Sequence, residues 1–505
     1  MQYKNPIISG YNPDPSICRV GTDYYIVNSS FEFFPGVPIY HSRNLINWTH
    51  KGYCLTEESQ LPLKAAKASG GIFAPTIRWN KGTFFMVTTN VSSGGNFIVH
   101  TNNMEEGWSQ PVWVDQGGID PSLLFDEDKV YFVSTMSDDQ GAGIFLCEVN
   151  PFTGEKLTES VCINRGCGGR YPEGPHLYKW FGKYYLMLAE GGTEYGHMET
   201  MQRADNPYGP YEKCPYNPIL SHRDDMEEEI YCTGHADMLE DHKGNWWMVC
   251  LGVRTCSNEE RRVLMHNLGR ETFLAPVSWT KDGWPVVGND GKIALTMEGS
   301  LPDKVYPVNR DFYDDFSGEN FKVQYNFLRN PNMENYNICK ADRKLILSGT
   351  ETTLNEPKSP TWIGIRQKDF HIIATVNVSA EHAQGIRAGL TAYYNESYHY
   401  EIYVTKQADK FKICLAKHIH DIFVVTASVE VARGENIFLK IEADEVWYRF
   451  FYSLDGNQYE ELGKGLTVGL CTEGTRTMTF TGTYIGLFAE KGRGIFQEFK
   501  VEVVK

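Results

Sequence analysis

The sequence predicts an all-β protein: a five-bladed β-propeller followed by an antiparallel β-sandwich of concanavalin or jelly-roll type. Three observations carry this. A turn, a pair of adjacent aromatics and an apolar strand recur five times in the first half of the chain, as GTDYYIVNS, NKGTFFMVTT, DEDKVYFVST, FGKYYLMLAE and KGNWWMVCLG. The pairs Tyr24-Tyr25, Phe84-Phe85, Tyr131-Phe132, Tyr184-Tyr185 and Trp246-Trp247 stand 47 to 62 residues apart, the kind of spacing that marks a radial array of short strands. From residue 311 the aromatic repeat stops and long strands of period two take over, the pattern of antiparallel sheets with one buried face.

Each repeat opens on a short apolar or Pro-containing element: PDPSICRV, FAPTIRW, IDPSLLF, PEGPHLYKW and GHADMLE. The turn and aromatic strand follow, then one or two further strands, such as NFIVHTNN and GIFLCEV. Three to four strands per period is the content of one propeller blade, so residues 1–300 are expected to form five blades. Propellers close by pairing strands from both chain ends, and no segment identifies itself as the closing one. Residues 285–310, including PVVGNDGK and GSLPDKVYPVNR, read as a transition. Residues 311–505 are expected to form the sandwich, with strands such as TWIGIRQKDFHIIATVNV and FKICLAKHIHDIFVVTASVEV and hairpin turns such as SLDGNQ.

The bulk properties exclude several classes. At 505 residues the chain exceeds what one core usually organises. A formal net charge of −16 with no basic cluster argues against nucleic acid, whose binding rests on Lys and Arg neutralising phosphates. A neutral oligosaccharide fits the balance better. No apolar run approaches the roughly 18 residues of a membrane span, so no membrane partner is expected. The start, MQYKNPIISG, has no hydrophobic segment, which implies a cytoplasmic protein as the sequence stands, or a periplasmic or secreted one if a signal peptide has been removed. The twelve cysteines form no CxxC pair and read as free thiols in a reducing compartment.

Ten or eleven residues before each aromatic pair stand Asp14, Phe73, Asp120, Glu173 and His235. Equivalent positions around a closed ring face one axis, so three carboxyl groups scattered over 160 residues are expected to converge. Glycoside hydrolysis needs such convergence: one carboxyl protonates the departing oxygen, and another activates water or attacks carbon. A third carboxylate nearby raises the pKa of the acid by like-charge repulsion. Asp-Pro also opens ordinary turns, but turns need no shared phase within a repeat.

Around these positions the chain resembles glycoside hydrolase family 43, and within it the two-domain β-xylosidases and α-L-arabinofuranosidases. The matching text is NPIISGYNPDPSICRVGTDYYIVNSSFEFFPGVPIYHSRNLINW, SGGIFAPTIRW, GGIDPSLLF, GGRYPEGPHLY, AEGGTEYGHMETMQRA, TGHADMLED, LGRETFLAPVSW and DGWPV, with WIGIRQKDF in the second half. The resemblance implies exo-acting, inverting removal of terminal β-D-xylosyl and/or α-L-arabinofuranosyl residues from plant hemicellulose oligosaccharides. It implies Asp14 as general base, Glu173 as general acid, Asp120 as the carboxylate that tunes and orients the acid, and Arg270 of LGRET as the arginine reaching acid and substrate hydroxyls. His235 is implied beside the axis at the substrate, near a structural cation, often calcium, mostly through water; no cofactor is required. Phe31 of SSFEFFPG is implied as an aromatic lining the sugar site, and Phe480 of MTFTGTYIG as the aromatic that closes the pocket from the second domain. Phe73 stands where many β-xylosidases of the family carry Trp, which leaves xylose and arabinofuranose both open. Homo-oligomers are common among such proteins, and no interface is legible in the sequence. Two rival readings are an endo-acting arabinanase or xylanase, which would need an open groove, and a non-catalytic carbohydrate-binding propeller, which would need no converging acids.

Overall fold

The computed structural model describes residues 1–224, 229–257, 264–381, 383–475 and 478–504. Among them, strands dominate, and no helix is long and apolar enough to cross a membrane. Five antiparallel blades follow one another in chain order. Their first strands, Ser16–Val20, Thr76–Asn80, Ile119–Asp126, Glu173–Trp180 and Ile230–Glu240, pack against each other around the ring. Each aromatic pair falls in the second strand of its blade: Asp23–Val27, Thr83–Asn90, Lys129–Asp138, Lys183–Glu190 and Trp246–Arg254.

The reason for the repeat is visible in the seams between blades. Successive side chains of a strand face opposite ways, so a pair of rings serves both neighbours. Tyr25 meets Phe84 of the next blade edge-on at 5.2 Å, and Phe85 lies 4.9 Å from Phe125 of the third. The Tyr184 hydroxyl donates to Asp126 at 2.6 Å across the following seam, and Tyr185 lies 5.6 Å from Trp279 of the fifth blade. Tyr24 and the Nδ1 of His242 share a hydrogen bond of 2.8 Å, joining the first blade to the fifth.

No blade is shared between the chain ends, because the first blade takes all its strands from residues 16–55 and the fifth all of its strands from residues 230–287. The ends pair outside the blades instead: Gln2–Lys4 runs antiparallel to Thr296–Glu298, and Ile8 bridges to Thr272 of the fifth blade. The inner strands are tied by one buried carboxylate, Asp237. Its Oδ2 accepts from Ser16 Oγ at 2.7 Å, from the Ile17 amide at 3.0 Å and from Arg78 Nη1 at 2.7 Å, while Tyr178 donates to Oδ1 at 2.7 Å. Four of the five blades therefore meet at this group. Burial raises its pKa, but Arg78 and His176 outweigh burial and hold it far below the ordinary carboxylate range.

The second domain is a sandwich of two large antiparallel sheets. In the outer sheet Ile372–Ala380 and Ile437–Ala443 alternate between buried and half-buried residues, as the sequence pattern predicts. In the other sheet Arg387–Asn395 and Tyr398–Gln407 are buried almost throughout, because that sheet has the sandwich core on one face and the propeller on the other. Its propeller-facing residues include Trp362, Tyr393, Tyr484 and Phe488, which cluster with Tyr11, Phe31 and Phe33. The propeller also lends the sheet an edge strand: Phe33–Phe34 pairs with Asn326–Leu328, and the Phe33 ring stacks on Tyr484 at 4.2 Å.

Removing one partner from a buried charge cluster leaves the other uncompensated. Asp237→Asn is therefore expected to lower stability by about 3–5 kcal/mol, read as a fall in the thermal midpoint of the whole chain. A midpoint equal to wild type would show that the carboxylate does not tie the ring.

Candidate active site

The three acids reach the axis through a distorted backbone. Register shifts mark the start of the inner strands at Ile119/Ser122, at Glu173/His176, and at Tyr231/Gly234 and Gly234/Asp237. Asp14 (φ 50°), Asp120 (φ 55°) and His235 (φ 46°) all lie in the left-handed region, where such side chains rarely sit. A bulge of this kind re-aims a side chain away from the regular alternation of the strand. Glycine makes the approach possible at Gly174 (φ 56°): a Cβ there would stand 3.2 Å from the His235 ring.

Asp14 is buried and densely partnered. Ser29 donates its hydroxyl to Oδ2 at 2.5 Å, Arg270 Nη1 donates to Oδ1 at 3.0 Å, and His235 Nδ1 lies 3.7 Å from Oδ1. Burial pushes its pKa up, but Arg270, His235 and the Ser29 hydroxyl outweigh it, so the carboxyl is held below the ordinary value. Glu173 is half-buried. Burial, then the charge of Asp14, lift its pKa to about 7, with Arg270 pulling the other way. Asp120 is driven well upward by burial and by the charges of Glu173 and Asp14, and its Oδ2 accepts from the Gly174 amide at 3.3 Å. The site thus holds one carboxyl kept below its ordinary pKa beside two that are raised, Glu173 to about 7. Burial and Arg270 depress the pKa of His235 in spite of Asp14.

Arg270 connects this charge group to an aromatic wall. Beyond Asp14, its Nη1 donates to Thr193 Oγ1 at 3.0 Å and its Nη2 to the Phe480 carbonyl at 3.3 Å. Its guanidinium lies 5.7 Å from the Phe31 ring centre and 5.3 Å from that of Phe480. Phe31 stacks on Phe480 at 5.6 Å, and Phe73 meets both edge-on, at 5.3 and 5.9 Å. The second domain therefore enters the site through Phe480. That segment is held from the propeller side: the Phe480 amide donates to Ser69 Oγ at 2.9 Å, and the Ser69 amide donates to buried Glu32 at 3.0 Å.

Residues 3–285 match the family model for glycosyl hydrolases family 43, and residues 313–501 match the β-xylosidase C-terminal concanavalin A-like domain. The chain is a member of glycoside hydrolase family 43. It is 38% identical over 499 residues to a non-reducing end α-L-arabinofuranosidase of Bacteroides ovatus, covering 96% of this chain and 91% of that one. It is 35% identical over 497 residues to a xylosidase/arabinosidase of Butyrivibrio fibrisolvens, covering 92% and 95%. A solved structure described as Bacteroides ovatus xyloglucan PUL GH43B superposes with a TM-score of 0.93 at 37% identity, over 100% of both chains.

The structure of this family 43 hydrolase brings Asp14, Asp120, Glu173, Arg270, His235, Phe31, Phe73 and Phe480 into one connected site. Asp120 and Glu173 interact as a pair, each raised by burial and by the Asp14 charge, and Asp120 accepts from the adjoining Gly174 amide. Calcium seeks six to eight oxygen ligands. Among the described residues no group of three or more His, Cys, Asp or Glu is arranged to hold a metal ion; a cation held mostly through water beside His235 needs no such group, and no step is routed through one. Sequence reasoning missed Asp237, Ser29 and Thr193. Asp237 stands two residues after His235 in TGHAD, the spacing that returns to one face of a strand, and that was its available signal. Ser29 and Thr193 belong to quoted motifs, but only the fold shows what their hydroxyls touch.

The pH dependence follows from these shifts. The alkaline limb of kcat/KM is expected near pH 7, where Glu173 loses its proton. Arg270→Met removes the cation that lowers the Asp14 pKa, so the acidic limb is expected to move to higher pH. An acidic limb left in place by the substitution would separate Arg270 from the ionisation of Asp14.

Proposed function

We propose that this protein removes single terminal pentose units, β-D-xylosyl or α-L-arabinofuranosyl, from hemicellulose oligosaccharides with inversion at the anomeric carbon. The observation that carries the reading is the separation of two carboxyls at one axis: Asp14 held ionised by Arg270 and Ser29, and Glu173 held protonated to about pH 7. Environments that push two carboxyl pKa values apart are what an acid and a base sharing one reaction need.

In this scheme Glu173 gives its proton to the departing glycosidic oxygen. Asp14 takes a proton from a water that attacks the anomeric carbon from the opposite face, in one displacement without a glycosyl-enzyme intermediate. Asp120 holds the Gly174 amide and so the backbone that carries Glu173. Arg270 keeps Asp14 charged and presents its guanidinium between Phe31 and Phe480, where a sugar ring can lie against the aromatic wall. A cleft of about 540 Å³ bordered by Ile119, Met136, Tyr171, Pro172 and Glu173 receives the leaving group beside its proton donor. Phe480 closes the site from the side, which suits a chain end and not the middle of a polymer. The names of the arabinofuranosidase and xylosidase/arabinosidase relatives support both pentoses as substrates.

Proton NMR of the first sugar released is expected to show inverted configuration; initial retention would exclude the assignment of Asp14 as base. Asp14→Asn is expected to lose about 10²–10⁴-fold in kcat on every substrate. Glu173→Ala should lose far less on 4-nitrophenyl pentosides, whose leaving group needs little protonation, than on unactivated disaccharides. Equal losses on both would remove Glu173 from the acid role. A side-by-side rate comparison on 4-nitrophenyl β-D-xylopyranoside and α-L-arabinofuranoside ranks the two pentoses, and release of long internal fragments from polymer would overturn the exo reading.

A further inference from the structure

A cavity of about 1250 Å³ lies between the two domains, on the other side of Tyr11 from the sugar-binding wall. Its walls come from the first residues of the chain, from the connection that includes Arg310, and from Arg366 and Lys368. Arg366 is 6% exposed, and its Nε and Nη2 find no hydrogen-bond partner. Arg366 keeps its charge: burial pulls its pKa down, but the phenols of Tyr484, Tyr40, Tyr53 and Tyr11 outweigh burial and raise it above the ordinary arginine value, and its guanidinium lies over the Tyr11 and Tyr484 rings at 5.3 and 5.8 Å. Lys368 borders the same cavity. Burial, then Arg366 and Arg310, bring its pKa down to about 8. The nearby acids are already engaged: Asp369 pairs with Arg310 at 3.0 Å and lies 3.7 Å from Arg254, and Asp311 accepts from the Val503 amide at 2.9 Å. Burial and the same two cations, Arg366 and Lys368, also push the pKa of His50 down to about 3.

A buried guanidinium with two N–H groups unfilled, beside a half-buried ammonium that makes no ion pair among the described residues, is a place where hydration has been lost and not fully replaced. Two carboxylates border the cavity, Asp311 and Asp369, but among the described residues neither forms an ion pair with Arg366 or Lys368. We propose that this interdomain cavity binds a small multivalent oxyanion, of the phosphate or polycarboxylate class, held by Arg366 and Lys368. Arg366 lies 5.3 Å from the Tyr11 ring centre, and Tyr11 lies 6.2 Å from Phe31, so the bound anion sits two rings behind the sugar-binding wall and braces the domain interface.

Isothermal titration of the full chain with inorganic phosphate, and separately with citrate, at fixed ionic strength, tests this. Saturable one-site binding of at least one is expected, and which one binds identifies the source. Lys368→Met is expected to weaken binding by about tenfold or more. In anion-free buffer the same variant should melt no lower than wild type, because it removes an unneutralised cation; with the anion present it should melt below wild type. A purely structural lysine would lower the midpoint equally in both buffers, and that result overturns the proposal. So does the absence of saturable binding of either anion, or wild-type affinity in Lys368→Met. Arg366→Met is expected to behave in the same way, and where it fails to fold, Lys368→Met decides alone.

Discussion

The buried ion pair of Asp237 and Arg78 is the constraint from which the rest of the structure follows. A propeller is a ring of sheets that touch mainly through side chains, and its inner strands need a common anchor. Asp237 supplies it from the fifth blade by accepting from Ser16 and Ile17 of the first, Arg78 of the second and Tyr178 of the fourth. A carboxylate removed from water survives only when its lone pairs are filled, and here they are filled by groups that must come from different blades. The charge is thus tolerated because the ring is closed, and the ring is held because the charge must be satisfied. His235 and Asp14 lie within two residues of the strands or contacts so fixed, which places the chemistry on a rigid base.

The electrostatics of the site grow from that placement. Desolvation alone would protonate all three acids. Asp14 escapes because Arg270, His235 and Ser29 converge on it; Glu173 and Asp120 do not, and they feel the Asp14 charge as well. Arg270, with His235 and the Ser29 hydroxyl, holds one carboxyl of the group below its ordinary pKa while the other two are raised. Arg270 also donates to a carbonyl of the second domain, so the group that sets the charge pattern is itself positioned by both domains.

The sandwich is accordingly part of the catalytic architecture. The central strands of its inner sheet are buried on both faces, that sheet accepts Phe33–Phe34 as an edge strand, and the domain delivers Phe480 to the pocket through a bond to Ser69. An exposed sheet edge is a hazard; here the propeller covers one. The same interface encloses Arg366 and Lys368 without an ion-pair partner for either among the described residues, so the joint between domains carries polar chemistry as well as apolar packing.

By itself the sequence determined the five blades, because the aromatic pairs are a local requirement of every seam and so repeat in the text, as Tyr25, Phe85 and Tyr184 illustrate. It determined the change of fold after residue 311, because period-two alternation is also local. It located Asp14, Asp120, Glu173 and His235, because ring symmetry turns equal phase into a common direction. Only the tertiary structure decided which acid is ionised, since that depends on Arg270 arriving from 256 residues away to meet Asp14. Only it revealed Asp237 as the anchor, the pairing of the chain ends outside the blades, and the burial of the central strands of one sheet against the propeller. These are contacts between segments distant in the chain, and a pattern read along one strand carries no record of what will be packed against it.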